Sequence, residues 1–446
     1  MNFQPSTPGI PPFGKGGPGG IPVGVSKSRP GEIPHRPPFP TGGTGSQTVW
    51  SWMAAALLCI LPCHPLPAQA DTTWDAALYA YPEIRSLTGD SVLNPGNRIA
   101  RLPDNMLTGE ARLNLRAESD GFRLALRPIL SIRHETGEDD RDAYLAQWQA
   151  RATLADTWAA SLGREVMNWG PAQFRSPSSP FYFDNGRANP LRELSGVDAA
   201  KLAWTPDRRF SLSLSRVTGS GHDAPPSDPW RHTWLAKADL RGDDWAGGLA
   251  LAKPDGRGLF AGVHLQHTLD DAWLVYGELS SSTRADALRS PADAAQPFTV
   301  AAESPRRATG LVGATLTLES GHSLTLEYLH DGHGFSRAGS RAYFARAAAG
   351  PPSAGMALAG APPLLNRGYL HLVWQNNLLE GDDYWRLMLS RNLDDGGNEL
   401  AGYGEHAING RLSLFALAVL NTGGPRREFA SLIERGLTLG LRLALP

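Results

Sequence analysis

The sequence predicts an all-β chain, a transmembrane antiparallel β-barrel of 16–18 strands, and three observations predict it. From Leu107 onward, short segments alternate apolar with polar or small residues, and no helix-length apolar stretch interrupts them. Several of these segments carry charge on the polar face, which the core of a β-sandwich would not tolerate without partners. The third observation is that Cys59 and Cys63 both lie in an apolar leader, so the chain beyond it has no disulfide framework and rests on its hydrogen-bond ladder and packing. A strand reverses its side chains at every residue, so a period of two describes a sheet with one greasy and one wet face. With lipid outside and water inside, such a sheet closes into a membrane barrel.

Residues 1–48 are dominated by Gly, Pro and Ser, a composition that cannot bury enough apolar surface to fold. Residues 49–70 read as a signal peptide: an apolar run from Val49 to Leu61, too short to span a bilayer, is followed by the small-x-small pattern Ala68-Gln69-Ala70. Residues 71–105 are expected to be an N-terminal periplasmic or lumenal segment, and residues 106–446 the barrel. The formal net charge of −2 gives no reason to expect nucleic acid. The expected partners are outer-membrane lipid, the outer-membrane assembly machinery and a polysaccharide, with no cofactor and no metal.

Strands follow from alternation and from the Gly, Asp, Asn and Pro clusters that interrupt it. Ala111, Leu113, Leu115 and Ala117 share one face of 110–118, with Glu110, Arg112, Asn114, Arg116 and Glu118 on the other. After the turn Ser119-Asp120-Gly121, Leu124 and Leu126 oppose Arg123 and Arg127, which makes a hairpin. Similar segments recur at 143–153, 157–164, 200–204, 209–217, 233–240, 245–252, 259–268, 273–279, 309–318, 323–329, 368–375, 384–393, 411–419 and 432–445. The last is the cleanest, with Leu437, Leu439, Leu441, Leu443 and Leu445 on one face, although the chain ends on Pro446 where such barrels usually end on an aromatic residue. Trp230, Trp234, Trp245, Trp273, Tyr276, Tyr369, Trp374, Tyr384 and Trp385 sit near strand ends, as interfacial girdles require. Short turns alternate with long connections, notably 281–308 and 331–366.

Between Gly163 and Val197 the alternation stops. Four prolines between Pro171 and Pro190 forbid a central strand or a helix, so this stretch is a loop. Its composition suits a ligand contact: Trp169, Phe174 and Tyr182 offer stacking faces beside Arg175, Asp184, Asn185, Arg187 and Asn189. Sugars are held this way, and the constriction loops of porins use similar residues. A plug held by its own packing is the alternative.

Here the chain resembles the capsule-assembly outer-membrane barrels of the Wzi type, on Gly163, Arg164, Trp169, Gly170, Pro171, Ser178, Asn185, Ala188 and Pro190. The resemblance implies an 18-stranded barrel that binds exopolysaccharide and helps hold capsule at the bacterial surface. Polysaccharide-export and substrate-specific porins share a similar Gly-Arg-x-x-x-x-Trp-Gly strand end, so a channel is the alternative function.

No catalysis is expected. The cluster from His330 to Arg337 lacks a hydrolase pattern, and His330, Asp331 and His333 are too few for a metal centre. The remaining candidates are lumen arginines, above all Arg123 and Arg127: either ion-paired with acids such as Glu110, Glu118 and Glu327, or a ladder that favours anions.

Overall fold

The computed structural model describes residues 71–135, 138–187, 191–222, 230–377 and 381–445. The expected leader, residues 1–48 and 49–70, lies outside the described residues, as does Asn189. Five strands come first: β1 (Asp71–Leu87), β2 (Asn105–Ser119), β3 (Phe122–Glu135), β4 (Glu138–Ala155) and β5 (Trp158–Glu165). The long connection 166–196 leads to β6 (Val197–Trp204), β7 (Phe210–Gly219), β8 (Thr233–Arg241), β9 (Trp245–Pro254), β10 (Phe260–Thr268) and β11 (Trp273–Ser282). A separate hairpin, β12 (Ala285–Arg289) with β13 (Thr299–Glu303), precedes β14 (Arg307–Thr317) and β15 (Ser323–Asp331). Two helices follow, α1 (Arg337–Ala347) and α2 (Pro351–Gly360). The chain finishes with β16 (Gly368–Gln375), β17 (Asp383–Asn392), β18 (Asn398–Ala407), β19 (Leu412–Thr422) and β20 (Ile433–Leu445).

All of these except the β12–β13 hairpin form one 18-stranded antiparallel sheet. It closes because β1 pairs on both sides: Leu78 lies opposite Ala111 of β2 and Leu443 of β20. The expected N-terminal segment is therefore corrected, since Asp71–Leu87 is a strand of the wall. Pro82 hides it in the sequence. With no N–H to donate, Pro82 has no partner in β20, where the register passes from Ala80↔Leu441 to Glu83↔Thr438. The other strand without a clear signature is β18, whose outward face carries Gly402 and Gly404 beside Leu400.

The greasy face points outward. Leu437, Leu439, Leu441 and Leu443 are 37–52% exposed, while Thr438 between them is 1% exposed. Such a belt of exposed leucines is the surface a barrel presents to lipid. No described helix is long and apolar enough to cross a membrane. The girdle is uneven: Trp74, Trp158, Trp245, Trp273 and Trp374 are exposed at the strand ends nearest the short turns, and Trp234 at the opposite end. Tyr276 and Tyr369, expected in that girdle, instead face the lumen and are buried.

The long connections gather at the opposite rim, the extracellular one by the rule that outer-membrane barrels turn tightly on the periplasmic side. There Leu93, Phe298, Tyr343, Phe344, Leu358 and Leu432 share one apolar cluster drawn from the 88–104 loop, the β12–β13 connection, both helices and the 423–432 loop.

Candidate functional site

Loop 166–196 does not stand above the barrel but folds into it. Its first anchor is Glu278 of β11, an inward-facing carboxylate that accepts from Ala172 N (3.0 Å), Ser176 Oγ (2.6 Å), Ser178 N (3.1 Å) and Ser178 Oγ (2.7 Å). The second is Glu327 of β15, which accepts from Gln173 N (2.6 Å), Phe174 N (2.8 Å) and the Tyr276 hydroxyl (2.6 Å). Glu327 thus holds backbone amides, not the lumen arginine expected of it. Gly170 makes the approach possible: its φ is +88°, and the Glu278 carboxylate occupies the place a Cβ would take. The Trp-Gly-Pro motif is accordingly the point at which the chain turns onto its anchor.

From there the loop returns along the opposite wall. Leu191 packs among Tyr79, Tyr81, Tyr403, Phe415 and Leu417. Glu193 takes Arg127 at 2.9 Å and Arg112 at 3.4 Å, and Arg112 also pairs with Glu110 at 2.7 Å. Burial raises the Glu193 carboxyl above its ordinary pKa despite both arginines.

The predicted contact residues separate into two groups. Phe174, Tyr182 and Asn185 are buried and committed within the protein. Phe174 stacks on His371 with centroids 4.8 Å apart, Tyr182 donates its hydroxyl to Ser195 O (2.7 Å), and Asn185 donates to Ala172 O (2.7 Å). Arg187 reaches the same Ala172 carbonyl at 2.9 Å. Arg175 lies over the Phe174 ring, 4.6 Å from its centroid, and 3.6 Å from Asp184, which also pairs with Arg192 at 2.5 Å and accepts from Gly186 N at 3.2 Å. Arg123 pairs with Glu118 at 2.5 Å, both half-exposed. Arg112, Arg123 and Arg127 are therefore ion-paired, which is the first of the two arrangements expected of the lumen arginines.

Trp169 belongs to the other group. It is half-buried, donates its indole N–H to Ser178 O (3.0 Å) and lines a cleft of about 320 Å³ between the start of the loop and the wall of β5–β8. The rest of that cleft is mixed: Val166, Met167 and Leu235 stand beside Ser161, Ser213 and Asn168 and the pairs Lys201–Glu165 and Lys237–Asp239. Lys237 Nζ stands 5.3 Å from the centroid of the Trp169 indole. The sequence carried a trace of this wall, because Ser211, Ser213 and Ser215 alternate with Leu212 and Leu214 in β7. It carried none of the cross-lumen pairing with Glu278.

The histidine cluster disperses. His330 faces outward while Asp331 faces inward, bound to Arg284 (2.9 Å) and Thr309 (2.9 Å), and Ser336 caps α1 by accepting from Gly339 N (3.2 Å). Among the described residues no group of three or more metal-ligating side chains is assembled.

The closed antiparallel wall, its lipid-facing belt and the infolded loop define an outer-membrane β-barrel of porin type. Comparison with solved structures agrees. The chain is similar to the crystal structure of Pseudomonas aeruginosa OccK11 (OpdR), with a TM-score of 0.51 and 14% identity over 84% of this chain and 96% of that one. Mutants of Rh. blastica porin are more distant; one of them has a TM-score of 0.44 and 11% identity over 84% of this chain and 100% of that one. No protein-family profile and no curated protein matches the sequence. The likeness to OccK11 is one of fold, a porin-type β-barrel, and no family or sequence match supports the capsule-assembly family.

Proposed function

We propose that this barrel is a solute-specific channel whose passage is set by loop 166–196 and whose recognition element is the cleft beside Trp169. One observation carries the reading: the loop is fastened across the lumen by buried carboxylates, and a cleft of about 320 Å³ lies between its first residues and the wall. That volume sits at the low end of the roughly 300–1,000 Å³ of small-molecule sites, which fits one small solute and not a polymer. The lining favours a hydroxylated solute of low net charge. Serine hydroxyls and an amide supply hydrogen bonds, Trp169 supplies an apolar face, and the lysines already have carboxylate partners. A polymer contact at the surface would need Phe174, Tyr182 and Asn185, which are buried. No catalytic chemistry is required.

The test is single-channel recording in a planar bilayer. The wild-type barrel gives small, stable currents that millimolar monosaccharide or disaccharide blocks, and Trp169→Ala weakens the block about tenfold, as expected for the loss of one stacking contact of about 1.5 kcal/mol. Absence of currents together with binding of purified polysaccharide would overturn the proposal in favour of a capsule-assembly role.

A further inference from the structure

One arc of the wall carries a row of basic side chains at the rim of the long loops. Across β7, β8 and β9, Arg216, Trp234 and Lys253 are successive ladder partners. Their neighbours Val217, Leu235 and Ala252 point inward and are buried, so this row faces outward, at the strand ends nearest the long loops. The Arg216 guanidinium lies 5.1 Å from the centroid of the Trp234 indole and pairs with Asp255 at 2.9 Å. Trp234 is 50% exposed.

The row continues past β9. Lys253 donates to Arg257 O, and Arg306 donates to Leu259 O (2.5 Å) and Ser281 O (3.0 Å), so its guanidinium sits over the ends of β10 and β11. Glu303 lies near Lys253 and Arg257. Four cations therefore stand with two carboxylates at the loop rim of this arc, beyond the exposed side chains of Leu214, Leu251, Val263 and Leu279 on the outer face of the wall. Below the same strands, the short turns carry both signs, Asp243, Asp244, Asp270 and Asp271 with Arg208 and Arg209, and Arg209 pairs with Asp243 at 3.5 Å.

We infer that this arc, β7 to β14, is a binding site for the phosphorylated headgroup of a multiply acylated glycolipid in the outer leaflet. Arginine and lysine beside lipid tails are stable where their stems lie along apolar surface and their charges reach the headgroup layer, and an exposed tryptophan marks that layer. Arginine forks match phosphate oxygens. The arc spans five strand spacings, about 24 Å along the wall, wider than a headgroup with one phosphate and suited to one with several phosphates and chains. The exposed leucines beneath give those chains a surface. The inference does not depend on whether the lumen conducts.

Native mass spectrometry of the full barrel in detergent tests it, using four probes: a diphosphorylated hexaacyl glucosamine-disaccharide lipid, its dephosphorylated form, phosphatidylglycerol and inorganic phosphate. The wild type retains the diphosphorylated lipid, and the triple variant Arg216→Glu, Lys253→Glu, Arg306→Glu retains at least about tenfold less. Arg391→Glu, on the outer face of β17, leaves retention unchanged. Lys253→Gln alone gives a smaller loss in the same direction, and it decides the matter if the triple variant does not fold. Equal retention by wild type and variants overturns the inference. So does equal retention of phosphatidylglycerol or of the dephosphorylated lipid, or displacement of the glycolipid by inorganic phosphate.

Discussion

Two long loops of this barrel, 166–196 and 332–367, are held by different balances of polar bonding and apolar packing. The described parts of loop 166–196, 166–187 and 191–196, form no strand or helix; backbone amides and serine hydroxyls donate to the carboxylates of Glu278 and Glu327, and Phe174 and Leu191 pack against the wall. The 332–367 connection forms two helices and is held by apolar packing, with Tyr343 and Phe344 at the centre of a cluster that also takes in Leu93 and Leu432. Directional bonds to a buried charge fix a loop in one position inside a wet lumen, where apolar contact alone would be weak. A greasy cluster suits the rim, where several loops can jointly exclude water. Directional bonds to carboxylates dominate the first loop and apolar area the second, where Glu428 adds one such bond, from Leu365 N.

That contrast sets the order of expected effects. Glu278→Ala should do most: it leaves four donors of loop 166–196 without their acceptor, at about 1–3 kcal/mol for each one that stays dry. Conductance then rises several-fold and hydrogen exchange in 170–180 accelerates; an unchanged conductance would show that the loop does not limit the passage. Tyr343→Ala comes next. It removes a ring with 0% exposure and a hydroxyl bonded to Ala357 O, costing about 3–5 kcal/mol. Limited proteolysis in 332–367 should increase, with conductance unaltered; a change in both would erase the distinction between the loops.

Third is a pH effect confined to the rim. Glu428, in the 423–432 loop, is fully buried and accepts from Leu365 N, Tyr369 Oη and Asn392 Nδ2, with Asp395 also facing it. Burial raises its pKa from 4.5 to about 7, with Asp395 adding to the shift. A carboxyl shifted upward is bound preferentially as the acid, so the loop cluster is tightest below about pH 4.5 and loosens as pH rises to about 7. The loss is on the order of 3 kcal/mol. Exchange protection in 423–432 should fall between pH 5 and pH 8, and Glu428→Gln should abolish that dependence. The smallest effect belongs to Arg123→Ala, since a half-exposed pair with Glu118 contributes about 0–1 kcal/mol; thermal melting should barely move.

The wall was legible in the sequence because each strand prints its own alternation. Strand β20 shows it outright, and β7 shows both its leucine and its serine face. The two strands that did not show it have particular reasons, Pro82 in β1 and the outward glycines of β18. The site was legible only in part. Prolines identified loop 166–196, and Trp169 proved to line a cleft. The loop's anchors were out of reach, because Ser176 meets Glu278 across 102 positions and Phe174 meets Glu327 across 153. No local pattern records such a meeting.

The seam between β1 and β20 has a consequence for how the barrel comes to exist. Ala76 pairs with Leu445, so the strand that begins the wall finds its second neighbour only at the far end of the chain. Every other hydrogen-bonded strand pair of the wall is consecutive in sequence, apart from β11 with β14 across the rim hairpin. A contact of such sequence separation carries the largest loop-closure entropy in the molecule and forms last. Until it forms, β1 presents an unpaired edge seventeen residues long. In water that edge is a template for aggregation, so the unclosed sheet has to be sheltered until its last strand arrives.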